Sequence, residues 1–309
     1  MGDQKGRPRP GSGNASTAGG DRVWTVLDLL RWTTKHFSEH GIETPRLDAE
    51  LLLAHALGLE RLALYLQFDK PVEPTERSDF RELIRRRVSE RVPISLLLGE
   101  REFWSRPFQV TEDVLTPRPE TETLVEAALK TIQQAAARVY RVLDVGTGSG
   151  AIGISLAADC PQAQVTATDI CPKALQIAQI NADKLQVSEN IQFLQGELFG
   201  PVGTEKFDLI VSNPPYLARS EAEGLAPELA HEPEQALFGG PDGYAVLRPF
   251  AVGVKERLEL GGWVGVEIDS GQANVVAGWF AEAGLCEIEI LNDLAGRHRV
   301  VSARNTTPT

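Results

Sequence analysis

A chain of 309 residues with 42% hydrophobic and 24% charged side chains can bury the core of one large globular domain plus a smaller one. Its formal charge of −12 disfavours a protein living on nucleic-acid phosphates, which needs a basic face, so no direct DNA binding is expected. No stretch approaches the roughly 18 apolar residues of a membrane span. Cys160, Cys171 and Cys286 form no CxxC pair, so a disulfide framework and a metal site lack support and a reducing, cytoplasmic setting is expected.

Residues 1–22 are rich in Gly, Ser and Pro and carry no apolar signal-peptide core, so a disordered tail is expected there. From Trp24 to about Leu97 the apolar spacing is helical. Val26, Leu27, Leu29 and Leu30 lead one segment, residues 48–57 give a second and residues 80–88 a third. Gly41, Thr44-Pro45, Gly58, Pro71 and Pro74 punctuate them. The arginine-rich run over 77–101, with Glu82 and Glu90 among its acidic neighbours, reads as a solvated helix face laced by intrahelical ion pairs. GEREFWSRPFQV (99–110) reads as a β-hairpin turning at Arg106-Pro107.

Beyond Arg138, short apolar runs alternate with helical stretches. RVLDV (141–145), QVTATD (164–169), IQFLQ (191–195), FDLIVS (207–212) and WVGVEI (263–268) read as buried strands. Residues 151–158, 172–185 and 242–260 read as helices between them. This alternation predicts an α/β fold with a doubly wound parallel sheet. CEIEILNDL (286–294) and RHRVVSAR (297–304) are expected to close it as an antiparallel hairpin.

Gly146, Thr147, Gly148, Ser149 and Gly150 end the first of these strands and open a helix. Glycines there allow a sharp turn and bring backbone N–H groups close to a ligand, at the strand ends where open sheets bind. Asp169, ending the next strand, can accept from both ribose hydroxyls of a nucleoside. Glu197 and Leu198, after the third, are placed to meet its adenine. Gly148, Gly150 and Gly153 also match the dinucleotide fingerprint, so an adenosine-containing cofactor is indicated with S-adenosylmethionine and NAD both open.

Ser212-Asn213-Pro214-Pro215-Tyr216 follows the fourth strand. The two prolines force an extended turn and remove two donors. The Asn213 side-chain oxygen and the Pro214 carbonyl then present two acceptors to a planar –NH₂ group, and Tyr216 offers an aromatic face to it. Such a nitrogen, with its lone pair delocalised, is a poor nucleophile that two accepted hydrogen bonds would orient and enrich. Asn213, Pro214 and Tyr216 are thus the candidate catalytic residues, with Pro215 completing the substrate site and Asn213 also facing the cofactor. Competing readings are an adenine amino-group DNA methyltransferase, a non-catalytic cofactor-binding scaffold and an NAD-linked dehydrogenase.

With RLDAELLLAHALG (46–58), RRRVSERVPISLLLGEREFW (85–104), LTPRPETETLVE (115–126), LDVGTGSGAIGISLA (143–157), IVSNPPY (210–216) and HEPEQALFGGPDGYAVLR (231–248), the chain resembles the HemK/PrmC family of release factor glutamine methyltransferases. The resemblance implies a seven-stranded, Rossmann-like, S-adenosylmethionine-dependent methyltransferase domain preceded by a small helical bundle and a linking β-hairpin. It also implies methylation of the glutamine in the Gly-Gly-Gln motif of class I peptide chain release factors. The implied organisation is a tail over 1–22, a helical substrate-recognition domain over 23–97, a hairpin linker over 98–116, the methyltransferase domain over 117–304 and a tail over 305–309. Leu198 stands where relatives often carry a larger or aromatic residue. VEIDSGQ (266–272) replaces a more usual Glu-x-Gly run, so the resemblance gives Glu267 no role.

Overall fold

The computed structural model describes residues 23–133 and 139–307, so the tail expected over 1–22 and the last two residues lie outside the described residues. The chain divides between Arg81 and Glu82 into two compact units.

The first unit is helical: α1 (Val26–Glu39), α2 (Pro45–Ala56), α3 (Arg61–Leu66) and the start of α4 (Pro74–Ser89). Thr25 caps α1 reciprocally: its Oγ1 accepts from Asp28 N at 3.2 Å, and the Asp28 carboxylate accepts from Thr25 N at 3.3 Å. Pro45 opens α2 at a position where its missing N–H costs nothing. Leu30, Phe37, Leu52, Leu53, Leu64 and Phe80 are buried.

In the second unit α5 (Ile94–Leu98) leads to the hairpin β1 (Glu100–Phe103) and β2 (Arg106–Gln109). The turn falls on Trp104-Ser105, with φ of 51° and 56°, and not on Arg106-Pro107. Two positive φ values match the right-handed twist of a two-residue hairpin. Pro107 then lies opposite Glu102, one step beyond the pair that closes the turn, where no ladder N–H is required. The arginine run also departs from a uniform solvated face. Arg85 pairs with Glu82 at 2.6 Å and Glu90 at 2.7 Å as expected. Arg87 and Arg91 instead share Glu228, at 2.8 and 2.7 Å, in the loop that follows the NPPY turn.

The main sheet has seven strands: β3 (Tyr140–Val145), β4 (Ala163–Asp169), β5 (Ile191–Gln195), β6 (Phe207–Ser212), β7 (Leu258–Glu267), β8 (Cys286–Asn292) and β9 (His298–Arg304). Their order is β5-β4-β3-β6-β7-β9-β8, with β9 antiparallel to both neighbours and the first five parallel. Helices α6 (Glu122–Gln133), α7 (Ala151–Asp159), α8 (Pro172–Lys184), α9 (Glu234–Leu237), α10 (Leu247–Gly253) and α11 (Ala273–Glu282) complete the unit. Alternate side chains along each strand feed two cores. Val142, Leu209 and Val211 pack with Leu124 of α6 and Ile154 of α7 on one face. Leu143, Ile210 and Val264 pack with Phe250 of α10 and Phe280 of α11 on the other.

The helix expected over 242–260 is shorter. Gly243 holds a φ of +81°, α10 begins at Leu247, and by Leu258 the chain is already paired with Phe207 in the sheet. No helix was expected over α11, whose Val275, Val276 and Gly278 are poor helix formers. Burial of Ala273, Val276 and Phe280 overrides that preference. Among the described residues no helix is long and apolar enough to cross a membrane.

Candidate functional site

The carboxyl ends of β3, β4, β5 and β6 open onto one cavity of about 340 Å³, within the range of small-molecule sites. Gly146, Thr147, Gly148, Ser149, Asp169, Glu197, Leu198, Asn213, Pro214 and Pro215 all line it, beside Asp113, Val114, Arg118 and Thr121 from the segment that enters α6. A larger cavity of about 500 Å³, lined by Lys130, Glu287, Glu289 and Arg304, includes no residue of the glycine loop or the NPPY turn. The smaller cavity is the functional candidate, because open α/β sheets bind ligands beyond the carboxyl ends of their strands.

The glycine loop is built for backbone approach. Gly146, Gly148 and Gly150 have φ of +72°, +55° and +85°, a region that side chains resist. Beneath it lies Asp144, fully buried, whose Oδ2 accepts from Thr147 Oγ1 at 2.7 Å and Gly153 N at 3.0 Å. Burial pushes its carboxyl up to about 6, against the pull of those two donors. Gly153 is required there for space: a Cβ would sit 2.9 Å from Asp144 Oδ2. Asp169 accepts from Gly148 N at 2.8 Å and Cys171 N at 2.9 Å. Each of its oxygens keeps a further lone pair, and burial raises its pKa. Leu198 holds a left-handed φ of 47°, a costly conformation for a branched residue and one associated with functional loops.

At the end of β6, Ser212 Oγ donates to Val145 O at 2.7 Å and ties the NPPY turn to the glycine loop. Asn213 Nδ2 donates to Thr121 Oγ1 at 3.2 Å. That bond occupies the nitrogen end of the carboxamide and leaves Oδ1 as its acceptor end. Arg118, on the cavity wall, is held by the buried Glu232 at 2.6 Å. Tyr216 is not brought to the cavity wall. Its ring packs into the core shared with Leu143 and Phe250, and its hydroxyl is beside Glu267. Burial first, and the Glu267 charge second, push that phenol well above its usual range.

A second glycine loop fixes the turn from behind. Gln272 Nε2 donates to Tyr216 O at 3.1 Å and Gly243 O at 3.4 Å. A Cβ at Gly243 would lie 2.3 Å from Tyr216 O, and one at Gly239 would lie 2.5 Å from Pro215 O. Gly243→Ala is therefore expected to combine backbone strain with a backbone clash, costing about 2–4 kcal/mol and displacing the turn. A drop in thermal midpoint together with loss of activity checks this; wild-type values for both would refute it.

Glu267, which ends β7, is 1% exposed, and burial pushes its carboxyl up to about 7. A raised carboxyl pKa means the folded chain binds more protons than the unfolded one between about 4.5 and about 7. Its contribution to stability is therefore full below that window and lost as pH rises through it. Glu267→Gln is expected to gain stability relative to wild type as pH rises from acid to neutral, by up to about 3 kcal/mol. Denaturant titration of both proteins across that window checks the sign.

Sequence reasoning missed Thr121, Asp144, Arg118 and Gln272 as site residues and left Glu267 without a role. A carboxylate at the carboxyl end of a central parallel strand, the argument that found Asp169, applies equally to Glu267.

The segment 28–99 matches the family described as PrmC N-terminal domain, and 121–251 matches Methyltransferase small domain. Release factor glutamine methyltransferase from Geobacter sulfurreducens is 43% identical, over 91% of this chain and 97% of its own length. The enzyme of that name from Rhodopirellula baltica is 44% identical over the same shares, and that from Cereibacter sphaeroides is 41% identical over 90% and 98%. Among solved structures, the hMettl16 catalytic domain in complex with a MAT2A 3′UTR hairpin superposes with a TM-score of 0.53 at 14% identity, covering 76% of this chain and 83% of that one. That likeness speaks for the fold.

Proposed function

The chain belongs to the release factor glutamine methyltransferase family, and from that premise we propose that it methylates the side-chain amide nitrogen of the Gly-Gly-Gln glutamine in class I peptide chain release factors, in the cytoplasm, with S-adenosylmethionine as methyl donor. The single observation that carries the amide chemistry is the Asn213–Pro214 pair. Asn213 spends its nitrogen on Thr121, and the Pro214 carbonyl accepts no hydrogen bond among the described residues. Two acceptors are thus left at the cavity wall for one –NH₂ group.

The residues present suit the donor. Asp169 would accept the ribose hydroxyls, the backbone over 146–149, with the Ser149 N–H as its uncommitted donor among the described residues, would lie along the amino-acid portion, and Leu198 would lie on the adenine with Glu197 at its edge. Bound S-adenosylmethionine supplies a methyl group already activated as a sulfonium. The enzyme's own work is therefore alignment. Asn213 Oδ1 and Pro214 O accept hydrogen bonds from the two N–H groups of the substrate amide, fix the nitrogen in line and stabilise the positive charge that develops on it. Pro215 walls the site. No strong base is needed: as the N–C bond forms the sulfonium C–S bond breaks, and the N-protonated methylamide is acidic enough to give its proton to water.

The helical region over 23–97 is the part of the chain proposed to recognise the protein substrate. Removing residues 24–72, which spares α4 and the Arg87 and Arg91 bonds to Glu228, is expected to impair methylation of an intact release factor more than that of a short glutamine peptide. Equal losses on both would refute that assignment. For the function itself, labelled methyl donor is offered with a release factor and, separately, with duplex DNA, and the product is read by mass spectrometry. Label on the Gly-Gly-Gln glutamine is expected, and label in DNA alone would overturn the reading.

A further inference from the structure

Glu267 and Thr121 are both buried behind the candidate amide site. Val266 pairs with Ser212 in the parallel ladder, so the next residue on each strand, Glu267 and Asn213, stand side by side at the strand ends. The Glu267 side chain is buried, and its Oε2 has no hydrogen-bond partner among the described residues. The hydroxyls of Thr121 and Tyr216 lie against the carboxylate and favour its charged form. Arg299 of β9 also favours that form, and Glu120, beside Thr121, opposes it. Thr121 is 3% exposed and accepts from Asn213 Nδ2 at 3.2 Å.

Resting on the reading that Asn213 accepts a proton of the substrate amide, we propose that Thr121 and Glu267 are positioning residues that decide which end of the Asn213 carboxamide faces the cavity. The two ends of an asparagine amide are nearly the same size, so its neighbours choose its orientation. An ionised carboxylate only accepts. It takes the single proton of the Thr121 hydroxyl and leaves that hydroxyl a lone pair to offer Asn213. Nδ2 must then point at Thr121 and Oδ1 at the cavity. If Glu267 is protonated it can donate to Thr121, whose own proton is freed to bond Oδ1. The inverted carboxamide then sets –NH₂ against the –NH₂ of the substrate, donor against donor.

The test compares wild type with Thr121→Val, Thr121→Ser and Glu267→Gln. It measures kcat and KM with a release factor, donor affinity by calorimetry, and the pH profile of kcat through neutrality. Thr121→Val keeps the side chain's shape and deletes its hydrogen bonds. It is expected to lose about tenfold or more in kcat while donor affinity, which also reports folding, stays at the wild-type value. Thr121→Ser restores most of the rate. Wild-type kcat falls as pH drops below neutral, and Glu267→Gln lacks that limb. A release factor methylated by Thr121→Val at the wild-type rate would overturn the inference and leave the function standing. A wild-type enzyme that labels no release factor would overturn the function and the inference with it.

Discussion

Asn213→Ala is expected to lower methyl transfer to a release factor about 10²–10³-fold with little change in donor affinity. The estimate follows from deleting one preorganised dipole aimed at developing charge. The side chain sits at the end of β6 and is anchored by Thr121, so its loss removes an acceptor without moving the Asp169 end of the cavity. The loss should fall on kcat, because the acceptor matters most when the amide nitrogen gains positive charge. Asn213→Asp is the sharper variant. It keeps an acceptor but cannot donate to Thr121, and it adds a charge near the buried Glu267. It should be impaired as well. A wild-type kcat for Asn213→Ala, measured at saturating donor, would remove Asn213 from the mechanism.

Asp144→Ala is expected to cost about 2–4 kcal/mol of stability and to abolish tight donor binding. The carboxylate is the acceptor for the buried Thr147 hydroxyl and the Gly153 N–H, and both would be stranded without it. These two bonds join the glycine loop to the strand beneath it and to the first turn of α7. Without them the loop keeps its bonds to β4, from Gly146 N and Thr147 N to Thr168 O and from Gly148 N to Asp169, but loses its tie to the strand beneath it. Asp144→Asn should be milder, since both donors bond one oxygen, Oδ2, and an amide oxygen in its place can still accept from both. Calorimetric titration with S-adenosylmethionine and denaturant unfolding together check this. Full donor affinity in Asp144→Ala would show that the glycines hold their shape without Asp144.

Much of the molecule follows from the order of its residues. Apolar runs separated by glycine and proline locate β5 and β6 to the residue and β3 and β4 to within one residue. They do so for β3 and β6 because a strand buried on both faces is mostly apolar and ends where the chain turns. Contrary to the expectation of a buried strand, β5 is at the sheet edge with Gln192 and Gln195 exposed, because no strand covers its outer side. The glycine loop, the carboxylate closing β4 and the NPPY turn are local signals of the same kind. Each is a backbone requirement that only certain residues meet, and all of them line one cavity.

What the sequence could not decide is set by partners distant along the chain. Leu258 joins a strand because Phe207 is beside it, and α11 is helical because its apolar side packs against the sheet, whatever its valines prefer. Tyr216 reads as an aromatic face for a ligand, yet core packing takes its ring and Glu267 its hydroxyl. Thr121 and Glu267 are separated by more than a hundred residues and reach the same asparagine only because α6 and β7 pack around the end of β6. Turn chemistry and strand composition act within a few residues and can be read directly. The orientation of a side-chain amide or the proton affinity of a buried carboxyl depends on what burial removes from water, and only the folded chain fixes that.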